Sequence, residues 1–406
     1  MKKKKSSVNR REFFSKSAAG IASLGIMNLT TSKFFSRNQE INRNIIYRTL
    51  GKTKIKMPVV NMGVMNSNSK ELIKKSYEIG VRHFDTAASY QRGQNEKVVG
   101  QAVRELGVRK NVIIATKVYI PHKQRDMSTS EAKEAYLKSA NESLERLNTD
   151  YIDILYSHNV QNLNWLNNPG ILQAFDQLKQ EGKVRFIGFS THTNMTELIS
   201  NAADTNNYEV ILTSYNYAMS QNSEFINILK KAAAQGIGLV AMKTQCSQYW
   251  YQQNLPETQQ KYYKGGILHT AMLKWALQND FITTAIPGYT NFKEMEEDFS
   301  VATNLNFSPE EKQFLDDRNV KYSLGYCEQC GECIPTCPKR VDIPDLMRTH
   351  MYAACYANFY QARDTIVEIP FQKGLSACST CYGCVAVCKN YIDIKQRLQE
   401  LMAMYG

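Results

Sequence analysis

"HFDTAASYQRGQNEKVVGQAV" (His83 to Val103) opens on a short, largely apolar run and passes into an amphipathic stretch. The run "HFDTA" (83–87) has company on both sides. "VVNMGVM" (59–65) precedes it. "VIIATKV" (112–118), "IDILYSH" (152–158), "VRFIGFS" (184–190), "VILTSYN" (210–216), "GLVAMK" (238–243) and "TTAIPGY" (283–289) follow. Each is short and apolar through most of its length, as a strand covered on both faces is. The stretches between them have a period near 3.6. In "EAKEAYLKSANESLERL" (131–147), Ala135, Leu137, Leu144 and Leu147 stand among charges. Eight such units predict an α/β fold, a (β/α)8 TIM barrel over 45–305, in preference to a doubly wound sheet. Ahead of the first strand, "IIYRTLGKTKIKMP" (45–58) reads as a hairpin turning at Gly51-Lys52, placed to plug the bottom of the barrel.

A chain of 406 residues exceeds one ordinary domain, which predicts a large core with an appendage. Its hydrophobic fraction of 43% and charged fraction of 22% are those of a globular protein. The net charge of +12 is concentrated at one end: residues 1–37 carry nine basic side chains against Glu12 alone. The body is nearly balanced and shows no basic stripe interleaved with aromatics, so nucleic acid is not an expected partner. No stretch reaches the ~18 uninterrupted apolar residues of a membrane span, so no integral membrane segment is expected.

In barrels of this kind the reactive groups gather where strands end and loops begin. Asp85, Tyr90, Lys117, His158, Ser190, Asn216 and Lys243 stand at or just past predicted strand ends. An ionisable side chain there is costly to bury alone. Asp85 and Lys117 end neighbouring strands and can pair, and for those two alone a structural salt bridge is explanation enough. Tyr90 and His158 make four convergent polar groups, more than a salt bridge requires. A lysine ammonium beside a phenol is expected to lower the phenol pKa. Such a tyrosine can give its proton to a carbonyl oxygen as hydride reaches the carbon. The aspartate would hold the lysine, and the histidine would hydrogen-bond the same oxygen.

Together "HFDTAASYQRGQNEKVVGQAV", "ATKV", "DILYSHN", "IGFSTH" and "IPGYTNFKEMEED" resemble the aldo-keto reductases over roughly residues 45–305. The resemblance implies the barrel fold and a catalytic tetrad of Asp85, Tyr90, Lys117 and His158, with Tyr90 as general acid acting on a small carbonyl or alcohol. It also implies NADP or NAD bound without a Rossmann domain, and no G-x-G-x-x-G follows a strand here. The implied cofactor-binding positions are Ser190, Asn216, Met242, Lys243, Glu297 and Asp298. Several positions depart from the family pattern. Ser190-Thr191 replaces Ser-Asn, Leu212 replaces a carboxamide-binding Gln, and Met242 replaces the aromatic that stacks on nicotinamide. Gly288 and Glu294 stand where a Lys and an Arg would grip a 2′-phosphate, though Lys293 is adjacent. An acid there repels a phosphate, so NAD and NADP both stay open. The segment 244–266, with Tyr249, Trp250, Tyr251, Tyr262 and Tyr263, reads either as a substrate-specificity lid or as a surface excursion packed by its own rings.

Beyond the barrel, "CEQCGECIPTCP" (327–338) and "CSTCYGCVAVC" (378–388) repeat a cysteine spacing of 2, 2 and 3. Disulfides give no reason for such a repeat. Iron–sulfur clusters do: three close thiolates wrap one face and the fourth comes from elsewhere. Zinc, which favours pairs of C-x2-C, is the second choice. In the two-cluster pattern Cys327, Cys330, Cys333 and Cys388 would hold one [4Fe-4S] cluster, and Cys378, Cys381, Cys384 and Cys337 the other. Pro338 matches the proline after the fourth cysteine, and Lys389 replaces it in the second array. With "IPDLMRTHMYAACYANFYQARD" (343–364) read as helix, residues 320–406 resemble a helical two-cluster ferredoxin-like module, of the kind carried by a subset of aldo-keto reductases. Cys246 and Cys355 are left over and read as small buried hydrophobes. The clusters could serve electron exchange with a redox partner protein, or staple the C-terminal segment over the barrel.

At the other end, Arg10-Arg11 with Phe13-Phe14, preceded by lysines and followed by an Ala/Gly/Ile/Leu run, resembles a twin-arginine export signal over 1–37. Asn9 and Phe14 depart from the usual residues, and the plainer reading is a basic arm. The resemblance implies passage through the twin-arginine translocase and a location in the periplasm or on the outer face of the cytoplasmic membrane. That route carries folded proteins, as one whose clusters are built in the cytoplasm requires.

Overall fold

The computed structural model describes residues 44–245, 267–317 and 325–406. The expected export signal at 1–37, Cys246 and nearly all of the aromatic segment 244–266 lie outside the described residues. The described residues from Ile45 to Gly406 belong to one compact unit.

Two short strands, β1 (Tyr47–Thr49) and β2 (Lys56–Pro58), pair antiparallel around a turn at Gly51–Thr53. Eight parallel strands follow: β3 (Met62–Gly63), β4 (His83–Asp85), β5 (Ile113–Val118), β6 (Ile152–Ser157), β7 (Val184–Thr191), β8 (Val210–Ser214), β9 (Gly238–Met242) and β10 (Thr284–Ala285). They pair in sequence order. A parallel bridge between Val60 and Ala285 closes the ring, with Asn61 N donating to Ala285 O at 2.9 Å and Gly63 N to Pro287 O at 3.0 Å. All eight predicted runs supply a strand, and the alternation with helices holds throughout.

Two apolar layers follow from strands that are apolar through most of their length. One lies between sheet and helices. The other fills the barrel and contains Ile113, Ile154, Val210, Leu212 and Val240 together with Leu50, Ile55 and Met57 of the hairpin. The hairpin therefore plugs the barrel, as its pattern predicts. Gly51 is required there: its φ is +47°, and a Cβ would stand 2.3 Å from Gly236 O.

The helix Thr129–Leu147 is turned from the expected face. Ala132, Tyr136, Ala140, Ser143 and Leu147 are buried, whereas Ala135, Leu137 and Leu144 are only partly so. Tyr136 decides this orientation, because its hydroxyl shares a 2.5 Å hydrogen bond with Ser157 Oγ on β6. Ser128 and Glu131 cap its start reciprocally.

The C-terminal segment packs on the mouth of the barrel. Its own core joins Val341, Leu346, Met347, Leu398 and Leu401 to the cysteine-bearing turns. The single helix expected over 343–364 is two: Ile343–His350, prolonged by a wide turn at Met351–Cys355, and Phe359–Glu368. The break lies at Ala357, with φ +50°, and at Asn358, whose side chain caps the second helix by accepting from Gln361 N. Asn358 also donates to Asn66 Oδ1 at 3.0 Å, and Glu368 accepts from His122 N at 2.7 Å. These contacts fasten the segment to the loops that follow β3 and β5. Among the described residues no helix is long and apolar enough to cross a membrane.

Candidate active site

Parallel pairing sets Asp85 at the end of β4 opposite Ala115 of β5, with Lys117 two residues farther along β5. Lys117 Nζ reaches back to the Asp85 carboxylate and donates to Thr86 O at 2.6 Å. Both side chains are almost fully buried, at 1% and 2% exposure. Burial raises the Asp85 carboxyl and lowers the Lys117 ammonium from their ordinary values, and their contact offsets part of each shift.

Tyr90 follows β4 in a tight turn. Gln91 and Arg92 both take left-handed backbone, φ +49° and +56°, which is uncommon for such side chains and gathers at functional turns. The turn directs the Tyr90 ring inward, its centre 4.9 Å from Lys117 Nζ. His158, just past β6, meets it edge-on with 5.8 Å between ring centres. The four expected tetrad residues thus converge on one cavity of about 590 Å³.

The electrostatic expectation for Tyr90 needs correction. Its pKa is raised well above the ordinary phenol value, first by burial and then by the Asp85 charge. The lysine does not win, because its charge is spent on Asp85 and the low-dielectric site penalises phenolate. Tyr90 rests as a phenol, a proton donor. His158 is held well below the ordinary imidazole value by burial and then by Lys117, so it rests neutral. Its Nδ1 stands 3.4 Å from Ser89 Oγ.

Of the positions expected to bind a cofactor, Ser190, Met242, Lys243, Glu297 and Asp298 line the same cavity, and so does Leu212. Asn216 does not line it. Its amide donates to Lys243 O at 3.1 Å and its Oδ1 accepts from Ala218 N, so it shapes the loop after β8 and reaches the cavity only through Lys243. Ser190 Oγ accepts from Asn159 N at 2.9 Å. Glu294, Glu297 and Asp298 form an acidic wall. Burial pushes the Asp298 carboxyl up to about 8, against the hydrogen bond from Gln245.

Other lining residues carried little signal in the sequence. His192 lies two residues past Ser190, and its Nδ1 is 3.1 Å from Lys243 Nζ. The strand-end pattern "IGFSTH" could have flagged it. Tyr352, Cys355, Tyr356 and Gln361 come from the C-terminal segment and cover the cavity. Only tertiary docking places them there.

The cysteines stand in two sets. Cys327 and Cys333 are raised to about 11 and about 12, first by burial, with repulsion from Cys330 and Cys388 contributing to both. Cys378 is raised to about 11, again first by burial, with contributions from Cys337, Cys381 and Cys384. Neighbours in space therefore follow the crossed grouping, three from one array and one from the other. Among the described residues no group of three or more His, Cys, Asp or Glu is gathered as a single metal ion requires.

Comparison with known proteins gives five findings. The family model described as "Aldo/keto reductase family" matches residues 60–319. L-galactose dehydrogenase of Arabidopsis thaliana is 26% identical over 287 residues, covering 64% of this chain and 88% of that protein. L-glyceraldehyde 3-phosphate reductase of Escherichia coli (strain K12) is 21% identical, covering 69% and 94%. Among solved structures, aldo-keto reductase AKR11C1 from Bacillus halodurans superposes with a TM-score of 0.53 at 24% identity, covering 67% of this chain and 95% of that one. An aldo-keto reductase from Klebsiella pneumoniae in complex with NADPH superposes at 0.53 and 21% identity, covering 67% and 95%.

Proposed function

The chain belongs to the aldo/keto reductase family and is an oxidoreductase; from that premise we propose that it reduces a small carbonyl compound, or oxidises the alcohol, with NADP or NAD and with Tyr90 as general acid or base. The observation that carries the reading is the convergence of Tyr90, Lys117, Asp85 and His158 on one cavity at the ends of adjoining strands. A volume of about 590 Å³ is ordinary for a small-molecule site, and the donors in its wall suit a nicotinamide nucleotide. When bound, that group supplies or accepts the hydride.

The chain's own residues do the rest. The Tyr90 hydroxyl donates its proton to the carbonyl oxygen, and its raised pKa keeps that proton in place until negative charge develops there. Lys117, fixed by Asp85, lies beside the ring and stabilises the phenolate left behind. Neutral His158 hydrogen-bonds the same oxygen and orients the substrate. Tyr352 and Tyr356 cover the cavity and limit water.

The two cysteine sets fit a pair of [4Fe-4S] clusters. Their donors are all thiols, and the interactions above group them as Cys327, Cys330, Cys333 with Cys388, and Cys378, Cys381, Cys384 with Cys337. Such clusters supply one-electron transfer. The reading includes export by the twin-arginine route to the periplasm or the outer membrane face, exchange with a redox partner protein, and the module boundary near 320.

Purified protein mixed with NADPH or NADH and a panel of aldehydes and ketones tests the proposal through consumption of the reduced nicotinamide. Tyr90→Phe is expected to abolish turnover while leaving the protein folded; an unchanged rate overturns the assignment. A second reading, an exported electron-transfer or binding protein with an altered barrel, is favoured by one feature: Met242 and Leu212, which depart from the expected cofactor-binding side chains, line the cavity together with Glu294, Glu297 and Asp298. Failure of both nucleotides to bind or turn over would select it.

A further inference from the structure

Lys243 belongs to two spaces at once. It lines the catalytic cavity, and it lines a smaller pocket with Cys327, Gln329, Arg348 and Arg397. Its backbone is left-handed, φ +56°, an unfavourable choice for lysine that fixes where the side chain starts. The side chain is held by His192 Nδ1 at 3.1 Å and lies 5.4 Å from the centre of the Tyr352 ring. Among the described residues no carboxylate is within ion-pair distance of it. Arg348, beside it, is 5% exposed; its Nη2 pairs with Asp345 at 3.0 Å, while the buried Nη1 has no hydrogen-bond partner.

Burial, and then the Arg348 charge, lower the Lys243 ammonium well below its ordinary value, and Asp345 offsets only part of that, so holding Lys243 charged calls for further negative charge beside it. Cys327, in the wall of the same small pocket, brings one cysteine set beside it. A cubane held by four thiolates is an anion, and charge and hydrogen bonds at its sulfurs set its potential. Gln329 already donates to Cys327 Sγ at 3.3 Å. Each set has one exposed cysteine, Cys330 and Cys381, but the cation near the other set, Lys339 beside Cys378, is itself exposed, as are Tyr382, Val385 and Val387, so solvent screens charge there.

We propose that Lys243 and Arg348 form an electropositive seat for the cluster on Cys327, Cys330, Cys333 and Cys388, and that Lys243 raises its reduction potential above that of the outer cluster. The inference rests on the iron–sulfur reading above. It makes Lys243 a positioning residue that acts from the cavity wall. It also places the higher potential on the cavity side, where an added electron comes to rest.

The experiment is an anaerobic redox titration of the full-length holoprotein, followed by electron paramagnetic resonance, with iron content measured first. Two potentials are expected. In Lys243→Met the higher one falls by about tenfold in equilibrium constant, about 59 mV for one electron, and the lower one stays. Lys243→Arg keeps the charge and stays near the parent values. Lys243→Gln, which keeps a donor for His192, replaces methionine if that variant does not fold. Two iron–sulfur signals with both potentials unchanged in Lys243→Met, or shifted alike, overturn this inference alone. Protein isolated anaerobically without iron overturns the iron–sulfur reading, and this inference with it.

Discussion

Lys117 Nζ stands 4.9 Å from the centre of the Tyr90 ring, with its hydrogen bonds committed to the Asp85 carboxylate and to Thr86 O. The pair is buried, so removing either partner strands the other charge. Asp85→Asn and Lys117→Met are each expected to cost about 3–5 kcal/mol of stability. The double variant should recover most of that loss, because no lone charge remains. Turnover should be down about 10²–10⁴-fold in all three. Denaturant midpoints and steady-state rates check both parts. Single variants as stable as the parent would show that the pair is not buried as described.

His83 gives the fold a pH dependence. It is fully buried on β4, and neither ring nitrogen has a hydrogen-bond partner. Burial, and then the Lys117 charge, lower its pKa from 6.5 to about 3. The unfolded chain therefore binds a proton that the folded one does not, throughout that window. Stability should be unaffected by this group above about pH 6.5 and should fall by about 1.4 kcal/mol per pH unit below it. His122, lowered to about 3, and His158 and His192, lowered well below the ordinary value, act in the same direction. Unfolding by denaturant at about pH 7.5 and about pH 5 measures the slope. His83→Met should make it shallower, and an unchanged slope would exclude His83 as a contributor.

These groups mark how far the sequence could be read. Eight apolar runs were legible because parallel strands under helices must be apolar on both faces. Their extent was less so: β3 and β10 shrink to two residues each. Asp85, Tyr90, Lys117 and His158 were legible because strand ends converge by construction of a barrel. The direction of the Tyr90 shift was not, because burial outweighs a neighbouring charge only once the surroundings are known. Tyr352 and Tyr356 were invisible as site residues. Their approach depends on a break at Ala357 and Asn358 that no proline or glycine announces.

Asp298 predicts how nucleotide binding responds to alkali. Its carboxyl lies in the cavity wall beside Glu294 and Glu297 and is pushed up to about 8 by burial. Below that value it is neutral; above it the wall gains a negative charge. Anionic nicotinamide nucleotides should therefore bind more weakly as pH rises through about 8, with NADP affected more than NAD. Asp298→Asn should remove the step. Dissociation constants measured across this range decide, and a step that persists in Asp298→Asn assigns it to another group.

Tyr352 links the C-terminal segment to substrate choice. It is 4% exposed, lies over Lys243, and closes the cavity opposite the barrel wall. Trimming it to Leu keeps an apolar contact with Met65 and Met351 while opening space above Tyr90. The variant should accept bulkier carbonyl compounds with kcat/KM improved about tenfold relative to small aldehydes, the scale of a modest change in pocket fit. Asn358→Ala serves as the comparison. It removes the hydrogen bond to Asn66 Oδ1 and the cap on Phe359–Glu368, together about 2 kcal/mol, but leaves the lining side chains in place. Its substrate preference should follow the parent. Equal broadening in both variants would mean that loosening of the whole segment, rather than the shape of Tyr352, governs access.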